Sequence, residues 1–150
     1  MELKSEELKN AIAAKLLQII PDCIVYKTEE TEPKYPHFFI HQISVSDDEW
    51  RRGRHLLDCS FDLRYRVISD PSMDKTIEQK LDAMGMKLLA SLKIIDCGDD
   101  KIRLIDRHYE KTDGVLHFFA NAKVQTLLIN KSETTPKQEK LGVKIGVKNG

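Results

Sequence analysis

Two histidines in one predicted strand are the first residues that could do chemistry. His37 and His41 lie in YPHFFIHQISV, where β-branched and aromatic residues after a proline predict a strand. Alternate residues of a strand share a face, so His37, Phe39 and His41 point the same way. The two histidines are roughly 13 Å apart along such a strand, whereas paired zinc ligands on one strand usually sit at i and i+2. This spacing argues against a metal site and leaves a surface that meets another protein as the alternative.

Other catalytic or cofactor-binding motifs are absent from the sequence. His55, His108 and His117 fall in other predicted strands or near their ends, and His108 could face His117 across a hairpin at Asp113-Gly114. There is no GxSxG, HExxH, GxGxxG or P-loop motif. Because nothing identifies a nucleophile, the sequence predicts a protein that is not an enzyme and that needs no cofactor and no metal.

The cysteines and the first ten residues indicate the cellular compartment in which the protein folds. Cys23, Cys59 and Cys97 are widely spaced, odd in number and without a CxxC pair, so reduced thiols are expected rather than disulfides. The first ten residues are rich in charge, and no apolar run approaches the roughly 20 residues of a membrane helix. These features predict an intracellular protein without a membrane partner.

A tryptophan beside three arginines could contact nucleic acid or protein. Trp50, Arg51, Arg52 and Arg54 lie in SDDEWRRGR, residues 46–54, which is predicted to be a hairpin loop that is mobile in the free protein. The acidic residues before the arginines offset their charge. The whole chain has 24 basic and 24 acidic residues, so bulk nucleic-acid binding is disfavoured. Tryptophan and arginine are enriched at protein interfaces, which favours a protein partner over a specific nucleic acid.

The elements that position these residues follow from hydrophobic periodicity. Apolar residues at helical spacing predict helices over 5–20 and from Asp70-Pro71 to about 93, and Gly85 is expected where the second helix packs closely on a sheet. Strands are predicted over 23–26, 35–45, 55–67, 102–111 and 115–130. The fold class is α+β: one mainly antiparallel sheet with two helices on one face, in the order α-β-β-β-α-β-β. Residues 1–130 form a single domain, and residues 131–150 form a polar, flexible tail.

Strict alternation marks the strand over 55–67. Its odd residues from Leu57 onward are apolar, and its even residues from Asp58 to Arg66 are polar or charged. The even set includes Asp58, Asp62, Arg64 and Arg66, which therefore project away from the core. The sheet face opposite the helices is unusually polar or mixed.

Three segments resemble the tail terminator family of phages and prophages of Gram-positive bacteria. They are YPHFFIHQISV, the loop ending in RRGRH, and CSFDLRYRV, whose end Leu63-Arg64-Tyr65-Arg66 is similar to the family's arginine-rich strand end. His117-Phe118-Phe119 also fits. The resemblance covers about residues 5 to 130 and does not include the tail.

The resemblance implies a structural protein with no catalytic residue. Such proteins act as rings, here expected to be hexamers, that cap the tail tube, stop its polymerisation and present a surface for head joining. The implied partners are further copies of the chain, the tail tube protein and a head-completion or connector protein. The implied location is the host cytoplasm during assembly and then the head-proximal end of the virion tail.

The resemblance and the residue types together define an expected interface. Its residues are His37, Phe39, His41, Trp50, Arg51, Arg52, Arg54, Asp58, Asp62, Arg64 and Arg66. Two alternatives stay open. One is a head–tail connector or another virion subunit, and the other is a small enzyme or nucleic-acid module with an unrecognised site.

Overall fold

The computed structural model describes residues 4–51 and 54–127 of the chain, with side chains over 5–47 and 55–125. Its helices are α1 (Lys4–Ile19) and α2 (Ile77–Ser91), with a short 3₁₀ helix at Pro71–Met73 before α2. Its strands are β1 (Ile24–Tyr26), β2 (His37–Arg51), β3 (Arg54–Arg66), β4 (Ile94–Cys97), β5 (Asp100–Thr112) and β6 (Val115–Leu127).

All six strands form one mixed sheet in the order β1-β2-β3-β6-β5-β4. The short strand β1 runs parallel to the start of β2, with Ile24 opposite His37 and Tyr26 opposite Phe39. Strands β4 and β5, and β5 and β6, are antiparallel. The fold class predicted from the sequence, α+β with helices on one sheet, is confirmed.

Both helices pack on the same face of this sheet. Fully buried apolar residues of the helices, such as Leu8 of α1 and Leu88 of α2, belong to one core with Phe38, Phe61 and Phe118 from the strands. The alternation in β3 places its odd residues from Cys59 to Tyr65 in this core, as predicted. The opposite face of the sheet is not covered by a helix in the described part of the chain.

Local sequence signals explain a tight turn and a close helix–sheet contact in this fold. Asp113 and Gly114 both have positive φ, 52° and 75°, as a two-residue type I′ turn requires. A Cβ on Gly85 would lie 2.7 Å from the ring of Tyr109, so the helix can approach β5 only because this residue has no side chain. The expectation that Gly85 marks close helix–sheet packing is confirmed.

Two predicted elements were wrong in detail, and one strand was not predicted. Residues 46–51 continue strand β2 instead of forming a loop, because strand pairing outweighs their polar composition. Strand β4 was missed; it is only four residues long and follows directly on the apolar stripe of α2. Asp70 does cap a helix, but that helix is the 3₁₀ turn at Pro71–Met73, and α2 begins at Ile77.

The chain divides into two compact units. Within the described residues, one comprises 4–46 and 58–124 and contains both helices, and the other comprises 47–51, 54–57 and 125–127. The predicted flexible tail, 131–150, lies outside the described residues. The domain boundary at residue 130 therefore stays a prediction.

Candidate interaction surface on the uncovered sheet face

Alternating residues of β2, β3, β5 and β6 form the sheet face opposite the helices, here called the outer face. Its members are His37, Phe39, His41, Ile43, Val45, Asp58, Asp62, Arg64, Arg66, His108, Glu110, His117, Phe119 and Asn121. Phe38 and Ile40 alternate with the β2 members and are fully buried in the core, which fixes the direction of the outer residues. The surface therefore combines aromatic rings with charged groups.

A buried carboxylate is at the centre of the outer face. Asp62 is 4% exposed, although the sequence predicts only that it projects away from the core. Arg64 Nε donates a hydrogen bond to its Oδ2 at 3.0 Å. The ring Nδ1 of His117 lies 3.0 Å from the same oxygen. Burial of a carboxylate is costly without such partners, so this cluster is held in one arrangement before any partner binds.

The guanidinium of Arg64 also reaches an aromatic ring. Its Cζ lies 6.0 Å from the ring centroid of Phe39, at the outer limit of a cation–π contact. Phe39 is half-buried and lies 6.2 Å, centroid to centroid, from the ring of His41. A cation, two aromatic rings and a buried acid are thus contiguous across β2 and β3.

A cleft of about 340 Å³ opens beside this cluster. It is lined by Tyr26, Thr28, Glu29, Glu30, Pro33, Tyr35, His37, Phe39, Arg64 and Arg66. Four of the residues predicted for an interface, His37, Phe39, Arg64 and Arg66, therefore line one depression. Arg66 is exposed, and its side chain makes no hydrogen bond or ion pair with the described residues. The cleft therefore presents a guanidinium against an aromatic wall.

His37 is structural on one side and faces the cleft on the other. It is 4% exposed and packs against Tyr26 and Tyr35, with ring centroids 5.3 and 4.9 Å away. Its Nδ1 lies 2.9 Å from the carbonyl oxygen of Lys34, so the neutral ring can donate there. Burial lowers the pKa of His37 below its ordinary value, the bond to Lys34 opposes this, and nearby Arg66 lowers it further.

The histidines of β5 and β6 both lie near one phenylalanine. His108 stands opposite Phe119 and stacks on it at 4.9 Å, and His117 lies 6.2 Å from the same ring. His117 stands opposite Glu110, so the expected His108–His117 pairing across the hairpin is wrong. Among residues 4–51 and 54–127, no group of three or more histidine, cysteine, aspartate or glutamate side chains could hold a metal ion.

The remaining predicted interface residues are less well placed. Asp58 is half-buried, and its Oδ1 is buried without a hydrogen-bond partner among the described residues. Trp50 and Arg51 lie at the end of β2, and Arg54 begins β3, but their side chains are outside the description. Arg52 lies outside the described residues altogether.

His117, Phe119 and His108 belong to the surface but were not predicted for it. The alternation of β6 already places His117 on the polar face. Its contact with Asp62 joins residues 55 positions apart, which periodicity alone does not predict.

In the part of the chain that the structure describes, an α+β sheet carries helices on one face and polar and aromatic side chains on the other. The family model described as "Phage tail terminator protein" matches residues 7–136. The chain therefore belongs to the phage tail terminator family, and the resemblance read from YPHFFIHQISV and LRYR is confirmed. A search of the curated proteins found no match. Within the described residues, no helix is long and apolar enough to cross a membrane.

Proposed function

We propose that this tail terminator assembles as a ring, expected to be a hexamer, that caps the phage tail tube. The ring stops tube polymerisation and presents the surface to which the head is joined. It assembles in the host cytoplasm and remains at the head-proximal end of the tail. The protein acts by binding, without a catalytic step.

The observation that carries the proposal is the outer face, which no helix of residues 4–51 and 54–127 covers. Phe39, His41 and Phe119 are half-buried there, and Asp62 is buried with Arg64 and His117 as partners. Polar groups held in fixed positions among aromatic rings are typical of protein interfaces. In the assembled tail a neighbouring protein covers this face, which no helix of the described residues covers in a single copy.

Three partners follow from this role. Further copies of the chain form the ring, the tail tube protein binds one side of the ring, and a head-completion or connector protein binds the other. The zero net charge of the chain suits close packing of identical subunits, because it minimises repulsion between them.

The test is a deletion of the gene in its phage, complemented by the wild-type chain. Tail lengths and head attachment are measured by electron microscopy. Overlong, headless tails in the deletion, and normal tails after complementation, would support the proposal. Normal tail lengths with unjoined heads would instead indicate the alternative, a head–tail connector. Joined tails of normal length in the deletion would contradict both.

A further inference from the structure

Strand β2 has an edge that is paired over only part of its length. Its partner β1 ends at Tyr26, which stands opposite Phe39. Residues 40–46 continue strand β2 beyond that point, and one edge of this stretch faces away from β3. On that edge, none of the described strands pairs with residues 40–46. Its outward backbone groups are therefore available to another strand.

This edge also lacks the usual protection against strand pairing. The stretch Ile40 to Ser46, IHQISVS, contains no Asp, Glu, Lys or Arg and no proline. Natural edge strands commonly carry charges, proline or bulges that prevent association. Here Ile43 and Val45 are 50% and 41% exposed on the outer face. An edge of this kind is suited to a partner strand.

The opposite edge of the sheet is the short strand β4. Among the described strands it pairs with β5 alone, and it is the last strand in the sheet order. Ile95 and Cys97 are buried in the core, so Ile94 lies on the outer face, where it is 38% exposed. Both edges thus present exposed apolar side chains on the same face of the sheet.

We infer that β4 of one copy pairs with the open edge of β2, residues 40–46, in the next copy. This inference rests on the proposed ring and specifies how its subunits join. The contact is head-to-tail, because two different edges meet, and a head-to-tail contact can close into a ring. Main-chain hydrogen bonds extend the sheet from copy to copy, and Ile94 packs beside Ile43 and Val45 on the outer face.

The test is cross-linking between two variants that each carry one added cysteine, Ile43→Cys and Ile94→Cys. Both positions are exposed, and the native Cys23, Cys59 and Cys97 are buried, so a short bis-maleimide linker should react mainly at the introduced thiols. The two variants, distinguished by a size tag, are co-expressed in the complemented deletion. Purified tails are then treated with the linker and analysed on a denaturing gel. Met86→Cys, 59% exposed on α2, replaces Ile43→Cys as a matched control.

The expected product is a heterodimer of the two variants that is lost when Met86→Cys replaces Ile43→Cys. Neither variant expressed alone should give a dimer. A homodimer of Ile43→Cys would overturn the inference, because it requires two identical edges to meet. Absence of the heterodimer from tails of normal length would also overturn it, while leaving the terminator role intact.

A second pair of variants tests the same edge without cross-linking. Ile43→Lys adds a charge to the open edge, and Met86→Lys makes the same charge change on α2. Both should melt like the wild type, but only Ile43→Lys should lose ring formation and give overlong tails. Normal tails from a folded Ile43→Lys protein would contradict the pairing. If the deletion itself leaves tail length unchanged, the proposed function fails independently.

Discussion

Arg64 and Arg66 lie two residues apart on the same face of β3, yet their surroundings differ. Arg64 is 30% exposed and bonded to the buried Asp62, whereas Arg66 is exposed at the rim of the cleft. From sequence alone, both substitutions to alanine are expected to leave the stability of the monomer nearly unchanged. The structure supports that expectation for Arg66. Arg64, in contrast, stabilises the folded monomer through its hydrogen bond to Asp62.

Replacing each arginine by alanine should therefore lower the free energy of unfolding by different amounts. Arg64→Ala leaves Asp62 with one partner fewer and should lower the free energy of unfolding by about 1 kcal/mol. Arg66→Ala should change it by less than about 0.5 kcal/mol. Urea unfolding of the two purified variants measures the difference. Equal losses of stability would mean that the Asp62–Arg64 bond contributes nothing to folding.

The lowered pKa of His37 predicts a dependence of stability on pH. The unfolded chain binds a proton at His37 near the ordinary pKa of about 6.5, and the folded chain binds it only at lower pH. Its contribution is therefore fully present above that value and is lost as pH falls below it. His37→Gln, which can still donate to Lys34, should melt with a flatter pH dependence. Identical melting profiles for both proteins between about pH 5 and 8 would contradict this.

The sequence specifies the direction of the outer-face residues but not their partners. Alternation in β3 places Asp62 and Arg64 away from the core, and this much is predictable. The burial of Asp62 depends on His117, which reaches it only after β6 has joined β3. Contacts between distant strands require the sheet order, which no local pattern encodes.

The packing of α2 on β5 makes a prediction at the scale of elements. Gly85→Ala should raise intrinsic helix propensity by about 1 kcal/mol, yet the new Cβ would lie 2.7 Å from the Tyr109 ring. The ring is held by a hydrogen bond from its hydroxyl to Asp82, 3.1 Å long, so it cannot move freely. A net destabilisation of about 1–3 kcal/mol is expected.

Thermal and urea unfolding of Gly85→Ala measure this effect. Ala90→Gly, at an exposed position of the same helix, is a matched control that reports propensity without a close contact. A Gly85→Ala protein more stable than the wild type would show that Tyr109 yields without cost.

Periodic elements could be predicted, and short or polar ones could not. The apolar periodicity of α1, α2 and β3 extends over several turns or pleats. A period of that length identifies the element type even where single residues depart from it. Strand β4 has only four residues, and its apolar pair Ile94-Ile95 reads as a continuation of α2. Residues 46–51 are polar, and their strand conformation depends on pairing with other strands rather than on propensity.

For the whole molecule, we predict that neither metal nor disulfide formation affects stability. Cys23, Cys59 and Cys97 are buried, and burial raises the pKa of the Cys23 and Cys59 thiols. Chelator and reductant should therefore leave the melting temperature unchanged. A shift of several degrees, which for this size corresponds to about 1–2 kcal/mol, would revive a metal or disulfide role.

Among residues 4–51 and 54–127, helices cover only one face of the sheet, and the proposed function connects this feature with tail termination. Both helices occupy one face, and the other carries the cleft and the Asp62 cluster, between two edges that are open among the described strands. The proposed function makes this outer face a contact surface in the assembled tail. The outer face is therefore where a folded variant should lose function.

Tail length in the complemented deletion, measured by electron microscopy for Arg66→Glu, tests this claim most directly. Lys87→Glu, an exposed position on α2 with the same charge change, is the control. We predict that both variants fold and melt alike, and that only Arg66→Glu gives overlong tails without heads. Tails of normal length, joined to heads, from Arg66→Glu would contradict a functional outer face.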